Sequence, residues 1–323
     1  MSRFLARRLL VSAVTLLGIS VLVFALMRLA PGDPVDIQLF GRIQGLSPTD
    51  VVRVRAQLTH DLGLDQPLAV QYIIWLRDAL QGNLGYSFVN SQSALGIILT
   101  HLSATVELMG VALIVSLVIG VPLGILAALK RNGIVDYLAS IFGLSAAAIP
   151  SFFLALILIY VFAAKLRVLP PGDMFTPAQP RNVVDDVRHL VLPAIVLGFG
   201  SAGPILRYVR TSILETLGRE YLVTARAKGL SPVSVIVRHA FPNALLPLIT
   251  VMGLQVGQLV GGAFITEQVF NWPGMGRMAY DAILSRDYPV IQAFAVVVAI
   301  MVLIGNLLAD VAYAFADPRI RLE

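Results

Sequence analysis

Long apolar runs dominate the chain and alternate with shorter polar segments, the one long exception lying near the N-terminus. Six runs approach or exceed the ~20 residues that an α-helix needs to cross the hydrocarbon of a bilayer. They cover about 9–27, 102–129, 137–164, 190–206, 244–265 and 290–314. Backbone polar groups in lipid must be satisfied within the segment, so these runs predict helices and an all-α integral membrane protein. An even number of spans puts both termini on one side.

Arg3, Arg7 and Arg8 precede the first run as they would in a signal peptide, but Pro31 follows Ala30 and no small-x-small cleavage pattern is present. The run is therefore read as a retained first helix. The segment that follows, about 30–100, opens with the turn-prone Pro31-Gly32-Asp33-Pro34 and is punctuated again between Gly45 and Pro48. It is expected to form a small folded extracytoplasmic cap. After Gly63-Leu64-Asp65-Gln66-Pro67, the residues Ala69, Tyr72, Ile73, Leu76 and Leu80 recur at helical spacing, and Gly82 ends the pattern. This helix carries Trp75. Its apolar face is either packing surface or a docking face for an external partner.

Composition sharpens the picture. With 57% hydrophobic residues, 13% charged and a mean hydropathy of +0.82, the chain is too apolar for a soluble domain. Its net charge of +5 reads as topology. Counting Lys and Arg in the short loops gives thirteen on the N-terminal side and six opposite, which makes that side, with both termini, cytoplasmic. The basic residues are spread over loops without interleaved aromatics, so a nucleic-acid partner is not expected. The chain has no cysteine, which excludes disulfides, thiolate metal sites and cysteine nucleophiles. No metal site is expected.

One cytoplasmic segment, 211–242, has a structure of its own. Ser212-Ile213-Leu214-Glu215 has the spacing of a capping box and is expected to start a helix that runs to Lys228. Gly229 suits the left-handed position that ends it, and Ser231-Pro232 suits the cap and first turn of a second helix that reaches Pro242. Small Ala225 and Ala227 beside Gly229 permit close approach of a partner, while Arg226 and Lys228 charge the tip.

The spacing Val223-Thr224-Ala225, Gly229, His239 and Phe241-Pro242 resembles the Glu-Ala-Ala loop of ABC importer permeases, with Val223 and Thr224 in place of Glu and the first Ala. Glu220, three residues earlier, is not assumed to substitute. The segment from Glu220 to Leu230 more closely resembles the B-type permeases of dipeptide, oligopeptide and nickel importers. Further segments agree: Leu62–Leu68 with Gln71-Tyr72 and Trp75-Leu76; Ile149-Pro150-Ser151-Phe152; Val269 to Gly276; Arg286-Asp287-Tyr288-Pro289-Val290; and Asp317-Pro318-Arg319-Ile320-Arg321. Together they span nearly the whole chain.

The resemblance implies the type I ABC importer fold with six transmembrane helices. Residues 1–95 would comprise the first helix and the outer segment, 96–311 the five-helix permease core, and 312–323 a cytoplasmic tail. It implies a subunit of the bacterial inner membrane that works with a second homologous permease, two ATP-binding subunits and an extracytoplasmic solute-binding protein. No G-x-x-x-x-G-K-[ST] occurs, so the chain is not read as an enzyme, and ATP with magnesium is expected on the ATPases alone. Glu220, Thr224 to Gly229, His239 and Pro242 would form the coupling contact with the ATPase. Import of dipeptides or oligopeptides is the implied function, with a nickel chelate or a short sugar as alternative substrates.

Polar residues within the spans stand out because burying them in lipid is costly. Asn306 and Asp310 share one face of the last run, as an interhelical clamp or as pathway lining. Glu107 is expected one to two turns into the second run, close to the outer interface. Trp272-Pro273-Gly274 reads either as a contact for the binding protein or as an interfacial aromatic anchor. Pro122 and Pro150 are expected to bend the second and third runs. A secondary transporter would require paired intramembrane charges, of which Asp310 is the one evident acidic candidate, and an intramembrane serine protease would require a G-x-S-x-G elbow that is missing.

Overall fold

The computed structural model describes residues 2–30, 32, 34–40, 47–177, 180–217, 252–253 and 263–316. Among these the regular structure is helical: α1 (Ser2–Leu29), α2 (Pro34–Phe40), α3 (Pro48–Asp61), α4 (Leu68–Leu80), α5 (Ala94–Leu129), α6 (Ile134–Ala148), α7 (Ser151–Leu158), α8 (Val183–Leu217), α9 (Met275–Leu284) and α10 (Tyr288–Ala316). A shorter helical stretch covers 263–269. Within α1, α5, α8 and α10 lie segments long and apolar enough to cross a membrane, whereas α6 and α7 with its π-helical continuation to Lys165 reach that length and hydropathy only as a bent pair. The predicted run at 244–265 lies almost wholly outside the described residues.

The chain divides into two compact units. One comprises Met1–Phe4, Ala104–Gly276 and Met301–Glu323, the other Leu5–Ser103 and Arg277–Ile300.

In the first unit α8 is the central element. Its apolar stretch is 72% buried. Small residues set its packing against α5: a Cβ on Gly120 would meet the Ala202 carbonyl at 2.8 Å, one on Gly124 the Leu206 carbonyl at 2.7 Å, and one on Gly198 the Val115 side chain at 2.6 Å. Without the hydrophobic effect to drive helices together in lipid, close backbone approach at such residues supplies the contact. On the α6 side the approach is made by Gly203, where a Cβ would lie 2.8 Å from the Gly143 carbonyl.

Two expectations are corrected here. Ser212 does not start a helix, because α8 continues through it to Leu217 and the Ser212 carbonyl accepts a bond from Thr216 Oγ1 at 2.7 Å. The reason is burial: Leu206, Val209 and Ile213 keep the helical period on one fully enclosed face, and that packing overrides a local capping signal. The third run is not one bent helix but two, joined at 104°. Ile149 is extended, as the residue before a proline prefers, and Pro150 is extended as well, so it caps α7 with its carbonyl accepting Phe153 N at 3.0 Å. Pro122, by contrast, leaves α5 continuous.

In the second unit α2 and α3 bury Val35, Leu39 and Leu58 together in a small core. Ser47 caps α3, its Oγ accepting Asp50 N at 3.3 Å with Pro48 in the first turn. The helix read from Ala69 to Leu80 is α4, closed by Gly82 at φ +83°. Its apolar face packs on α1: Tyr72 meets Phe24 edge-on at 5.4 Å, and Ser20 Oγ bonds the Tyr72 hydroxyl at 2.8 Å.

Candidate functional site

The richest polar arrangement in the first unit surrounds a carboxylate that the sequence reading passed over. Glu267 lies in helical residues 263–269 and is 0% exposed. Thr105 Oγ1 on α5 donates to its Oε1 at 2.7 Å, and Gly276 N donates to its Oε2 at 2.7 Å. Met275 N completes the set by donating to Thr105 Oγ1 at 2.8 Å. The first amides of α9, which lack partners within their own helix, are thus satisfied from outside by a carboxylate and the hydroxyl bound to it.

The loop between the two helices is shaped to admit this contact. Asn271 takes a left-handed φ of +55°, and Trp272 N donates to the Glu267 carbonyl at 2.8 Å, closing a Schellman-type helix end. The chain then passes so close to the carboxylate that a Cβ on Gly274 would overlap it, and a Cβ on Gly276 would lie 2.6 Å from Phe264 Cα. Trp272 is 0% exposed and donates its Nε1 to the Ala104 carbonyl at 2.9 Å. Its ring is core, packed with Leu108, Ala112 and Ala263, and is presented neither to the lipid interface nor to a docking partner. Gly274 is likewise buried and Pro273 half-buried.

A second loop of the same unit clips onto this one. Asp173 N donates to the Phe270 carbonyl at 2.7 Å, Asn271 Nδ2 donates to the Asp173 carboxylate, and a side chain on Gly172 would collide with that same carbonyl. His189 on α8 holds the clip: its Nδ1 lies 2.6 Å from the Gly172 carbonyl, which only accepts, so this nitrogen carries the hydrogen. Asp185 binds Thr176 through N at 2.7 Å and Oγ1 at 2.8 Å.

At the other end of α8, Asp136 of α6 receives Arg210 Nε at 2.6 Å and Nη2 at 2.7 Å, and the Asn132 amide at 2.9 Å. This bidentate pair fixes the last turns of α8, whose described part stops at Leu217, inside the predicted segment 211–242 and short of the ATPase contacts predicted from Glu220 onward. Glu220, Thr224, Ala225, Arg226, Ala227, Lys228, Gly229, His239 and Pro242 all lie outside the described residues. In the second unit Asp287 plays a similar clamping part, its carboxylate taking Ser87 Oγ and Phe88 N, the latter at 3.0 Å.

The remaining predicted residues are scattered. Trp75 is half-buried in the aromatic cluster of α1 and α4, 6.1 Å from both Phe24 and Tyr72. Glu107 is exposed and sits over three turns into α5, which begins at Ala94, ahead of the apolar run read from the sequence. Asn306 and Asp310 are half-buried on α10. In the sequence Glu267 and Asp136 are legible only as acidic residues near or within apolar stretches, whereas Asp287 stands inside the segment Arg286 to Val290 that carries the family resemblance, with no clamping role marked there.

Comparison with known proteins places these clamps in context. Residues 120–322 match the family "Binding-protein-dependent transport system inner membrane component", and residues 1–109 match its N-terminal family. A putative peptide permease protein of Brucella suis is 43% identical over the whole of both chains. The oligopeptide transport system permease protein AppB of Bacillus subtilis and the dipeptide transport system permease protein DppB of Escherichia coli are each 39% identical, with 99% of both chains covered. Among solved structures, the MetNI methionine ABC transporter in inward-facing conformations aligns with a TM-score of 0.56 at 20% identity, over 68% of this chain and 96% of that one, which establishes the fold. The chain belongs to the family of inner membrane components of binding-protein-dependent transport systems.

Proposed function

We propose that this chain is a permease subunit of an ATP-driven importer of dipeptides or oligopeptides. The observation that carries the reading is identity of 39–43% along essentially the full length with proteins named as peptide, oligopeptide and dipeptide permeases. The family implies partnership with an ATPase and a substrate-binding component, and as a transport permease it is not itself an enzyme. On this reading a second homologous permease completes the pathway, and two ATPase subunits carry ATP and magnesium. The chain sits in the inner membrane with both termini cytoplasmic, which puts the basic loop tips on the ATPase side. Glu220, Thr224 to Gly229, His239 and Pro242 form the coupling contact, and the Asp136–Arg210 pair steadies the helix that leads into it.

ATP-driven closure of the ATPases then shifts the permease between inward- and outward-open populations. Asn306 and Asp310 serve as a helix clamp rather than as pathway lining, consistent with their half-buried places on α10.

Because the chain has no cysteine, Lys228→Cys introduces a unique thiol. A crosslink from this thiol to the ATPase that changes with nucleotide, together with loss of dipeptide uptake on deletion of this chain, is the expected result. Uptake that persists without any ATPase partner would overturn the reading.

A further inference from the structure

The surface that α8 leaves open differs in chemistry from that of the other spans. Leu17 and Leu22 on α1, Ile114 and Val118 on α5, and Ile304 and Leu308 on α10 are exposed, as suits a surface that meets lipid. After Ile195, by contrast, α8 exposes no large hydrophobic side chain. Its open positions from there to Leu217 are Gly200, Arg207, Thr211 and Glu215, with Pro204 half-buried among them. Steps of three and four residues put all five on one face of the helix, over a length of ~22 Å. A Cβ on Gly200 would meet no other atom within 4 Å, so the strip faces open space there.

Polar side chains in a membrane span turn toward the bundle interior or a water-filled cavity, because lipid cannot solvate them. A face that carries a cation, a hydroxyl and a carboxylate without one exposed apolar anchor is suited to an aqueous pathway and unsuited to acyl chains. Arg207 is the group on it that calls for a ligand. Arg210, one turn further on, is held in its two-nitrogen pair with Asp136, whereas among the described residues no carboxylate pairs with Arg207. The stem of Arg207 passes over Gly143 of α6, where a Cβ would lie 3.8 Å from Arg207 Cγ. The stem thus has a wall to rest on, while the exposed head offers the planar fork that binds a carboxylate through two nitrogens.

We infer that this face of α8 lines the translocation pathway and that Arg207 binds the terminal carboxylate of the passing peptide. The inference rests on the peptide reading above and adds to it the group on the cargo that the permease itself holds. Every free peptide carries that carboxylate whatever its side chains, so one arginine serves cargo of any sequence. Thr211 lies one turn along the same face, close enough to sense what Arg207 binds.

Thiol labelling of the assembled transporter in nanodiscs, open to water on both sides, tests it, because a cysteine placed in this chain is unique there. Gly200→Cys and Thr211→Cys should react with a charged thiosulfonate faster than Val14→Cys, which stands on the exposed apolar surface of α1. Dialanine should slow the labelling of Thr211→Cys, and dialanine amide, which lacks the carboxylate, should not. With Arg207→Gln added, the dialanine concentration that gives the same protection should rise about tenfold, as loss of one charge-assisted contact does, and Arg207→Lys should fall between. Labelling at both positions no faster than at Val14→Cys would mean that lipid or the second permease covers the strip, and would overturn the inference. Absence of protection, equal protection by dialanine and its amide, or protection undiminished in Arg207→Gln would overturn the carboxylate assignment. Dialanine uptake by the cysteine-free transporter separates this failure from that of the peptide reading: uptake without protection sets aside Arg207 alone, whereas absent uptake sets aside the peptide reading and the carboxylate with it.

Discussion

Arg210 grips Asp136 with two nitrogens, Nε at 2.6 Å and Nη2 at 2.7 Å, and so ties the C-terminal turns of α8 to the first turn of α6. The Asp136 side chain is 6% exposed, that of Arg210 27%. A carboxylate so enclosed cannot lose its partner cheaply, since the charge left behind has no water to turn to.

Arg210→Ala should therefore destabilise the subunit by about 3 kcal/mol, and Arg210→Lys by nearly as much, because an ammonium cannot reproduce the two-nitrogen fork. Thermal unfolding of the purified complex measures this. A double-mutant cycle with Asp136→Asn should return a coupling of about 1–3 kcal/mol, whereas additive effects would show that the two side chains act separately.

The Glu267 clamp makes a sharper demand. Gly274→Ala forces a methyl group onto the carboxylate, and Glu267→Gln, with its oxygen kept on Gly276 N, turns an amide N–H toward the Thr105 hydroxyl, whose own hydrogen then loses its buried acceptor. Each should cost about 2–4 kcal/mol, from overpacking in the first and a mispaired buried donor in the second. Trp272 reports the outcome. The chain has two tryptophans, so in a Trp75→Phe background its emission isolates the loop. A red shift in either variant is expected, and unchanged emission would show that the clamp does not hold Trp272 in place.

How these clamps escaped the sequence reading has a physical reason. Apolar runs fix where helices lie, and the helices at 2–29, 94–129 and 288–316 follow from hydropathy alone. So does α4, whose period and terminal Gly82 leave little choice. Glu267 stands next to the very segment, Val269 to Gly276, on which the family resemblance rests, yet nothing local announces that Thr105, 162 residues away, will meet it. Type and loop setting leave Trp272 either a contact for the binding protein or an interfacial anchor, and its complete burial with the Nε1 bond to Ala104 shows it to be core. Ser212 misled for the converse reason: its capping pattern was real, but burial of Leu206, Val209 and Ile213 carried α8 straight through. Long-range pairing decides such positions, and a single chain of letters does not display it.

His60 and Asp65 provide a pH-dependent contact outside the spans. Their side chains meet at 3.0 Å across the turn between α3 and α4. The hydrogen bond to Asp65, and after it the charge of Asp65, raises the His60 pKa above its usual value, while the bond from His60 lowers that of Asp65. A raised histidine stabilises the fold while protonated, so its contribution is full below the unfolded value of about 6.5 and fades as pH rises through the higher folded value. Asp65 contributes in the opposite sense, losing its effect as pH falls through its depressed value. A carbon-13 NMR titration of His60 should show the raised midpoint, and Asp65→Asn should return it toward about 6.5. A midpoint unmoved by that substitution would remove Asp65 as the cause.

The break at Pro150 leads to the last prediction. Ile149 and Pro150 are both extended, and the 104° turn between α6 and α7 depends on that pair of residues. Proline enforces it twice, by withholding a backbone N–H and by keeping Ile149 out of the helical region. Pro150→Ala removes both restrictions and lets α6 propagate toward Ser151. Tyr137 and Tyr160 are exposed, one on each side of the break, and can be replaced by cysteine in a chain that has none. Spin labels at these positions should report a longer mean distance in Pro150→Ala, and transport should fall several-fold if the angle is needed in the working cycle. A longer distance with unchanged transport would make the bend a matter of packing alone. An unchanged distance would mean that the neighbours of α6 and α7, above all α8, impose the turn without the proline.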